Sequence, residues 1–184
     1  MSLQDSLARA RLALSYVRRE MTIGASNNFD VVWSAGRSPG CVYGSGTAIN
    51  RTLRNIKASQ REYVDRLSLS ERNLLIFQVF AAVGERNGCG NCGIQTALAL
   101  VYLYNFHDDI PLDYMQRTDR DHAFVVIGRR LGSNDRDYTT GGSEAGVCDP
   151  WDNSVYAATD ISRRAYGGAD QFGVESLWQR LSCE

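Results

Sequence analysis

Histidine is almost missing from this 184-residue chain: His107 and His122 are the only two. Any imidazole chemistry near neutral pH must use one of them. Lysine is scarcer still, with Lys57 set against 19 arginines. Arginine codon bias in a GC-rich genome is the ordinary explanation, ahead of selection against ubiquitin acceptor sites in a eukaryotic host cell, with which it is compatible. No apolar run reaches the roughly 18 residues needed to span a bilayer. Charged residues interrupt the apolar positions up to Glu20, so these residues are not expected to act as a Sec leader. The formal charge is only -1, so electrostatics points to neither nucleic acid nor an anionic membrane as a partner. There is no His-x-Glu box, which excludes a nucleotide-deaminase zinc site. There is also no internal repeat and no low-complexity segment.

What is present suits one domain over residues 1–184, with hydrophobic residues at 43% to supply its core. Leu3, Leu7, Ala10, Leu14, Val17 and Met21 recur at three- and four-residue steps and predict an amphipathic helix over 3–21. Residues 22–46 are rich in Gly, Ser and Asn and read as a loop with one short strand around Phe29 to Trp33. Thr47 is placed to cap a helix reaching Arg66, and Ser70-Glu71 to open another through Val83. A glycine-punctuated loop over 84–90 then delivers the chain to a buried helix opening at Cys92. Pro111 begins a polar connection to His122. Strands follow at 123–130, 146–149 and 154–158, with a polar loop over 131–146 and a terminal helix over 174–181. The pattern predicts an α+β fold, with a helical part over 1–84, the chemistry-bearing boxes over 85–160 and a C-terminal segment over 161–184.

Cys92 carries the strongest chemical signal. It stands in Gly90-Asn91-Cys92-Gly93, directly before the apolar run Ile94-Gln95-Thr96-Ala97-Leu98-Ala99-Leu100. The thiolate, not the thiol, is the nucleophile, and a helix N-terminus favours it through unpaired N–H groups and the macrodipole. Gly90 and Gly93 are expected to leave space for a substrate carbonyl. His122 opens the strand Ala123-Phe124-Val125-Val126-Ile127, and Asp149 ends Val147-Cys148-Asp149. An imidazole beside a thiol acts as base and then as acid, while a carboxylate on its other nitrogen fixes the tautomer. His107 falls at the far end of the Cys92 helix, which leaves His122 as the partner. The backbone N–H of Cys92 would be one oxyanion donor, with Asn87, Asn91 and Asn153 as candidates for the second.

Each of these residues also has an ordinary explanation. A lone Cys is commonly a small buried hydrophobe, a lone His a structural residue, and Asp-Pro a turn. Order and element type together favour the catalytic reading. The five cysteines (Cys41, Cys89, Cys92, Cys148, Cys183) are odd in number and widely spaced, which fits a reducing compartment and not a disulfide framework. Cys89-Gly90-Asn91-Cys92 is also a Cys-x-x-Cys. The segment before it reads as helical, which disfavours thioredoxin-like chemistry. The alternative from another class is a zinc-stabilised interaction domain drawing on Cys89, Cys92, His122 and Cys148, although the second Cys-x-x-Cys of a zinc ribbon is missing.

The Gly-Asn-Cys box, the Asp121-His122-Ala123-Phe124-Val125-Val126 segment and the Cys148-Asp149-Pro150-Trp151 box together resemble the papain-like domains of bacterial effectors and toxins. The nearest pattern is the dermonecrotic-toxin type, which includes glutamine deamidases acting on host signalling proteins, and the type III secreted cysteine proteases are similar. The resemblance covers roughly 85–160. It implies a papain-like fold, with the nucleophile at the start of a central helix packed on a small antiparallel sheet behind N-terminal helices. It further implies Cys92 as nucleophile, His122 as base, Asp149 as orienting acid and no metal or cofactor. By the same resemblance, the expected activity is thiol-dependent hydrolysis of a protein amide, with glutamine deamidation ahead of peptide cleavage. The implied partner is a eukaryotic host protein, reached from the bacterial cytoplasm by secretion into the host cell. Two features depart from the pattern. His122 and Asp149 are 27 residues apart, with the excess in the 131–146 loop. The glutamine that should shortly precede the cysteine is absent; Arg86 and Asn87 stand there.

Overall fold

Helix starts in this chain are set by short side chains that satisfy the first free N–H groups. The structure, a computed structural model, describes residues 1–24, 36–107, 110–117, 122–130, 132–134, 138–163 and 174–175. Helix α1 is Leu3–Glu20, opened by a reciprocal box in which Ser2 Oγ accepts from Asp5 N–H and Asp5 accepts from Ser2 N–H. Helix α2 is Arg37–Ser59, and the short α3 is Arg61–Arg66. Helix α4 is Leu69–Asn87, opened by the same kind of box between Ser68 and Glu71. It ends at Gly88, which takes a left-handed φ of 68°. Helix α5 is Cys92–Phe106, capped by Asn91.

Strands β1 (Leu112–Arg117), β2 (Ala123–Ile127), β3 (Gly146–Asp149), β4 (Ser154–Ala157) and β5 (Val174–Glu175) form one antiparallel sheet in the order β4-β3-β2-β1-β5. Register places Tyr114 opposite Val125 and Val125 opposite Cys148. Those three, with Leu112, Ala123 and Ile127, face the main core shared with the helices. Alternation sends Met115, Phe124, Val126, Val147 and Tyr156 to the other face, under Ala145, Ala158 and Ile161. Every residue of β2 is buried, as expected of a strand covered on both sides. Helix α5 packs against α4, α1, β1 and β2, and α1 also lies along β3 and β4. The fold is α+β.

Four expectations need correction. The helix expected from Thr47 to Arg66 starts ten residues earlier and breaks at Gln60. Gly40, Gly44 and Gly46 made its first half look like a loop. Tertiary bonds override that propensity: Cys41 is disulfide-bonded to Cys89, and Asn87 Nδ2 donates to the buried Ser45 Oγ at 2.9 Å. Pro39 is tolerated because it sits in the first turn, where N–H groups lack helical partners. The loop expected over 84–90 is helical as far as Asn87. The polar connection after Pro111 contains β1, whose Leu112, Asp113, Tyr114 and Met115 are buried. Val174 and Glu175 are a strand pairing with β1, not the start of a helix; the remainder of that predicted helix, and the strand expected near Trp33, lie outside the described residues. No helix among the described residues is long and apolar enough to cross a membrane.

The Cys41–Cys89 disulfide also overturns the reading of the cysteines as uniformly reduced. It closes a loop with a sequence separation of 48, which by chain entropy stabilises the fold by roughly 4 kcal/mol. Cys41→Ser is therefore expected to lower the unfolding free energy by about that amount in denaturant titrations, and reductant should do the same to the wild type but not to the variant. Gly44 offers an opposite test. It lies within α2, and a Cβ there meets nothing within 4 Å. Gly44→Ala should stabilise by about 0.5–1 kcal/mol; a loss of stability would show that this stretch is not helical in solution.

Candidate functional site

The first turn of α5 enters the core before the chain has finished turning. Asn91 Oδ1 accepts from Ile94 N–H at 3.1 Å, and the buried Gln95 Nε2 donates back to the Gly90 carbonyl at 3.0 Å. The loop ahead is held from a second side. Ile23 and Gly24 N–H donate to the Gly88 carbonyl, and Gly90 N–H donates to Gly24. These bonds hold Cys92, the first residue of the helix, with 5% of its surface exposed. One further bond sets the helix against the sheet: the buried Thr96 Oγ1 donates to the Ala123 carbonyl at 2.8 Å, one residue from His122.

His122 Nε2 donates to Asp149 Oδ2 at 2.7 Å. The side chain of Cys92 is hydrogen-bonded to the same imidazole. With Nε2 engaged by the carboxylate, Nδ1 is the ring nitrogen that remains for the sulfur. Asp149 is anchored in turn, since its Oδ1 accepts from Asp152 N–H at 3.1 Å across the turn that follows β3. His122 and Asp149 are both buried, at 6% and 1% exposure. Burial alone would pull the imidazole pKa down. The hydrogen bonds to Asp149 and Cys92, and the charges those groups carry, outweigh it and push His122 up to about 9. His122 is therefore a cation at neutral pH, held between a carboxylate and a sulfur.

The structure thus brings Cys92, His122 and Asp149 into one hydrogen-bonded chain from α5, the start of β2 and the end of β3. The three carboxamides considered as a second oxyanion donor each make a structural bond, Asn87 through its Nδ2 and the other two through their oxygens, whose Nδ2 donors those bonds do not use. Asn87 donates to Ser45, Asn91 caps α5 through its oxygen, and Asn153 Oδ1 accepts from Arg18 Nε at 2.9 Å. The glycines flanking the site do not hold open space for substrate. A Cβ on Gly90 would stand 2.5 Å from Ile94 Cγ2, and one on Gly93 would stand 3.3 Å from the Tyr114 hydroxyl. The protein's own side chains need that room. Tyr114 was not foreseen from the sequence because β1 was not. Stacked on Phe77 at 4.5 Å, it brings its hydroxyl to the first turn of α5.

The zinc alternative does not survive this geometry. Cys89 is in a disulfide, and among the described residues no cluster of His, Cys, Asp and Glu suits a metal ion. Cys148 is fully buried in the main core, and burial, with the nearby Asp149 charge, pushes its thiol well above the usual range. His107 caps the far end of α5 and meets the Tyr102 ring edge-on.

The chain matches no family model, no curated protein and no solved structure.

The charge on His122 yields a direct test. An anionic alkylator is drawn to a sulfur beside an imidazolium, and a neutral one is not. The ratio of iodoacetate to iodoacetamide rates at Cys92 should be high at pH 7 and fall as the pH passes about 9. The same proton affects stability with a defined sign. Because the folded pKa is raised, the contribution is complete below about pH 6.5 and is lost as the pH rises through about 9. A ratio that stays flat from pH 6 to 10 would show that the imidazole does not face the sulfur.

Proposed function

We propose that the protein is a cysteine hydrolase of protein amides, with Cys92 as nucleophile, His122 as acid and base, and Asp149 as the group that orients the imidazole. The observation that carries this reading is the continuous chain from thiol to imidazole to carboxylate, seated at the first turn of a buried helix. Cys92 Sγ attacks the amide carbon, and the carbonyl oxygen takes up the negative charge beside the helix N-terminus. His122 donates its proton to the leaving nitrogen as the C–N bond breaks. Water then enters, gives its proton to His122 and hydrolyses the thioester. This assignment agrees with the papain-like pattern to which the three sequence boxes are similar. A host signalling protein as substrate, and secretion from a bacterium as the route to it, rest on that resemblance.

Burial favours deamidation of a glutamine side chain over cleavage of a peptide bond. A protease has to lay an extended backbone across the sulfur along an open cleft. Here Cys92 and His122 expose only 5% and 6% of their surfaces. A deamidase needs room only for the end of one glutamine side chain, with recognition left to the folded surface around it.

Incubating wild type and Cys92→Ser with eukaryotic lysate and comparing peptides by mass spectrometry tests both levels. Glutamine-to-glutamate conversions that require Cys92 are the expected result. New peptide termini without such conversions would make the enzyme a protease, and neither change would remove the hydrolase assignment. Asp149→Asn should reduce turnover on any substrate found by about 10²–10⁴-fold, because the imidazole loses its anionic partner.

A further inference from the structure

Asp149 is held by a turn, and the turn is held from outside the sheet. After β3 the chain runs Pro150-Trp151-Asp152-Asn153 and re-enters the sheet as β4. Asp152 N–H donates to Asp149 Oδ1, and Asn153 N–H closes the turn on the Pro150 carbonyl at 3.3 Å. Asn153 sits at a φ of 53°, in the left-handed region that asparagine tolerates better than most residues. Arg18, in the last turn of α1, grips this turn at two points. Its Nε donates to Asn153 Oδ1 at 2.9 Å and its Nη2 to the Pro150 carbonyl at 2.9 Å. The planar guanidinium suits such a double contact, which an ammonium group would not reproduce.

The other end of α1 is fixed as well. Ser6 Oγ donates to the Glu144 carbonyl at 2.7 Å, just ahead of β3. Helix α1 therefore spans the whole length of the strand that ends in Asp149, tied before it by Ser6 and after it by Arg18.

We propose that Arg18 is a positioning residue for the Cys92 site: by clamping Pro150 and Asn153 it holds the Asp149 carboxylate in line with His122. The inference rests on the hydrolase reading above. Arg18 touches neither sulfur nor imidazole, and its effect passes through the turn. Among the described residues, Asp149 and Cys92 are hydrogen-bonded to His122; the Asp152 carboxylate accepts from Ser154 Oγ at 3.0 Å. Loss of the clamp loosens Asp149, weakens its bond to the imidazole and allows the imidazolium to lose its proton at lower pH. Displacements of about 1 Å in such arrangements cost up to 10²-fold in rate.

The test is the pH profile of Cys92 alkylation, measured with iodoacetate and iodoacetamide on the full chain and mapped by peptide. In Arg18→Ala we expect the iodoacetate rate at pH 7 to fall about tenfold or more, within that range. The pH at which the iodoacetate-to-iodoacetamide ratio collapses should also move below its wild-type position. Asn153→Gly keeps a backbone that tolerates positive φ and removes one of the two contacts, so it should give a smaller shift in the same direction. If Arg18→Ala lowers the melting temperature while both rate and profile stay at wild-type values, the residue is only structural and the inference is overturned. Failure of the hydrolase reading looks different. In that case His122→Ala leaves wild-type Cys92 reactivity unchanged, and there is no profile for Arg18 to move.

Discussion

A helix that is apolar on every side has to be enclosed, and the enclosure of α5 decides where most of this molecule goes. Residues Ile94 to Leu100 are buried without a break, and Leu103 with them. No single partner covers such a surface. Helices α4 and α1 take two sides and strands β1 and β2 a third. Once they are in place, Cys92, Ile94 and Gln95 at the amino end of α5 are buried, while Asn91 and Gly93 before and between them stay half-buried. The free N–H groups of this first turn need partners, and Asn91 supplies one. The first residue of the helix is the one whose surroundings this burial controls most strongly, and in this chain it is Cys92.

Burying polar groups around that point is costly unless each is paired. Two buried carboxylates show two solutions. Asp113 is gripped by both arms of Arg129, Nε at 2.9 Å and Nη2 at 3.2 Å, giving a fixed ion pair on the face away from α5. Asp149 has a backbone N–H on one oxygen and an imidazole on the other. An Asp–Arg pair does not exchange its proton near neutrality, because the guanidinium does not titrate there. An Asp–His pair can, and here the imidazole gives up its proton as the pH rises through about 9. Within one small sheet, one acid is locked and the other is connected to a group able to move a proton.

The parts of this arrangement that were legible from sequence are those written in local chemistry. The start of α5 could be read from Asn91 and the apolar run behind it, β2 from its unbroken apolar stretch, and β3 from Val147 to Asp149. The start of α2 was hidden because glycines at 40, 44 and 46 lower helix propensity, while the bonds that compensate, to Cys89 and Asn87, come from residues more than 40 positions away. Strand β1 was hidden because Asp113 and Gln116 break its apolar pattern, and the arginine that justifies a buried Asp113 belongs to another part of the chain. Nothing local sets Arg18 apart from Arg9, Arg11 and Arg19 on the same helix. The contacts of Arg18 lie 132 and 135 residues further on, a separation that no local pattern encodes.

The pairing of Cys41 with Cys89 places an oxidised sulfur three residues before one that the proposed chemistry needs reduced. The two demands pull the redox poise of the surroundings in opposite directions. A strongly oxidising medium keeps the staple and endangers the nucleophile through sulfenic acid or mixed disulfides. A strongly reducing one frees the nucleophile and strains the staple. Structural disulfides in stable folds commonly resist the glutathione pool, and burial of Cys92 at 5% exposure limits its own exchange. On the proposed chemistry, the staple and the nucleophile ask opposite things of the electron supply around the protein.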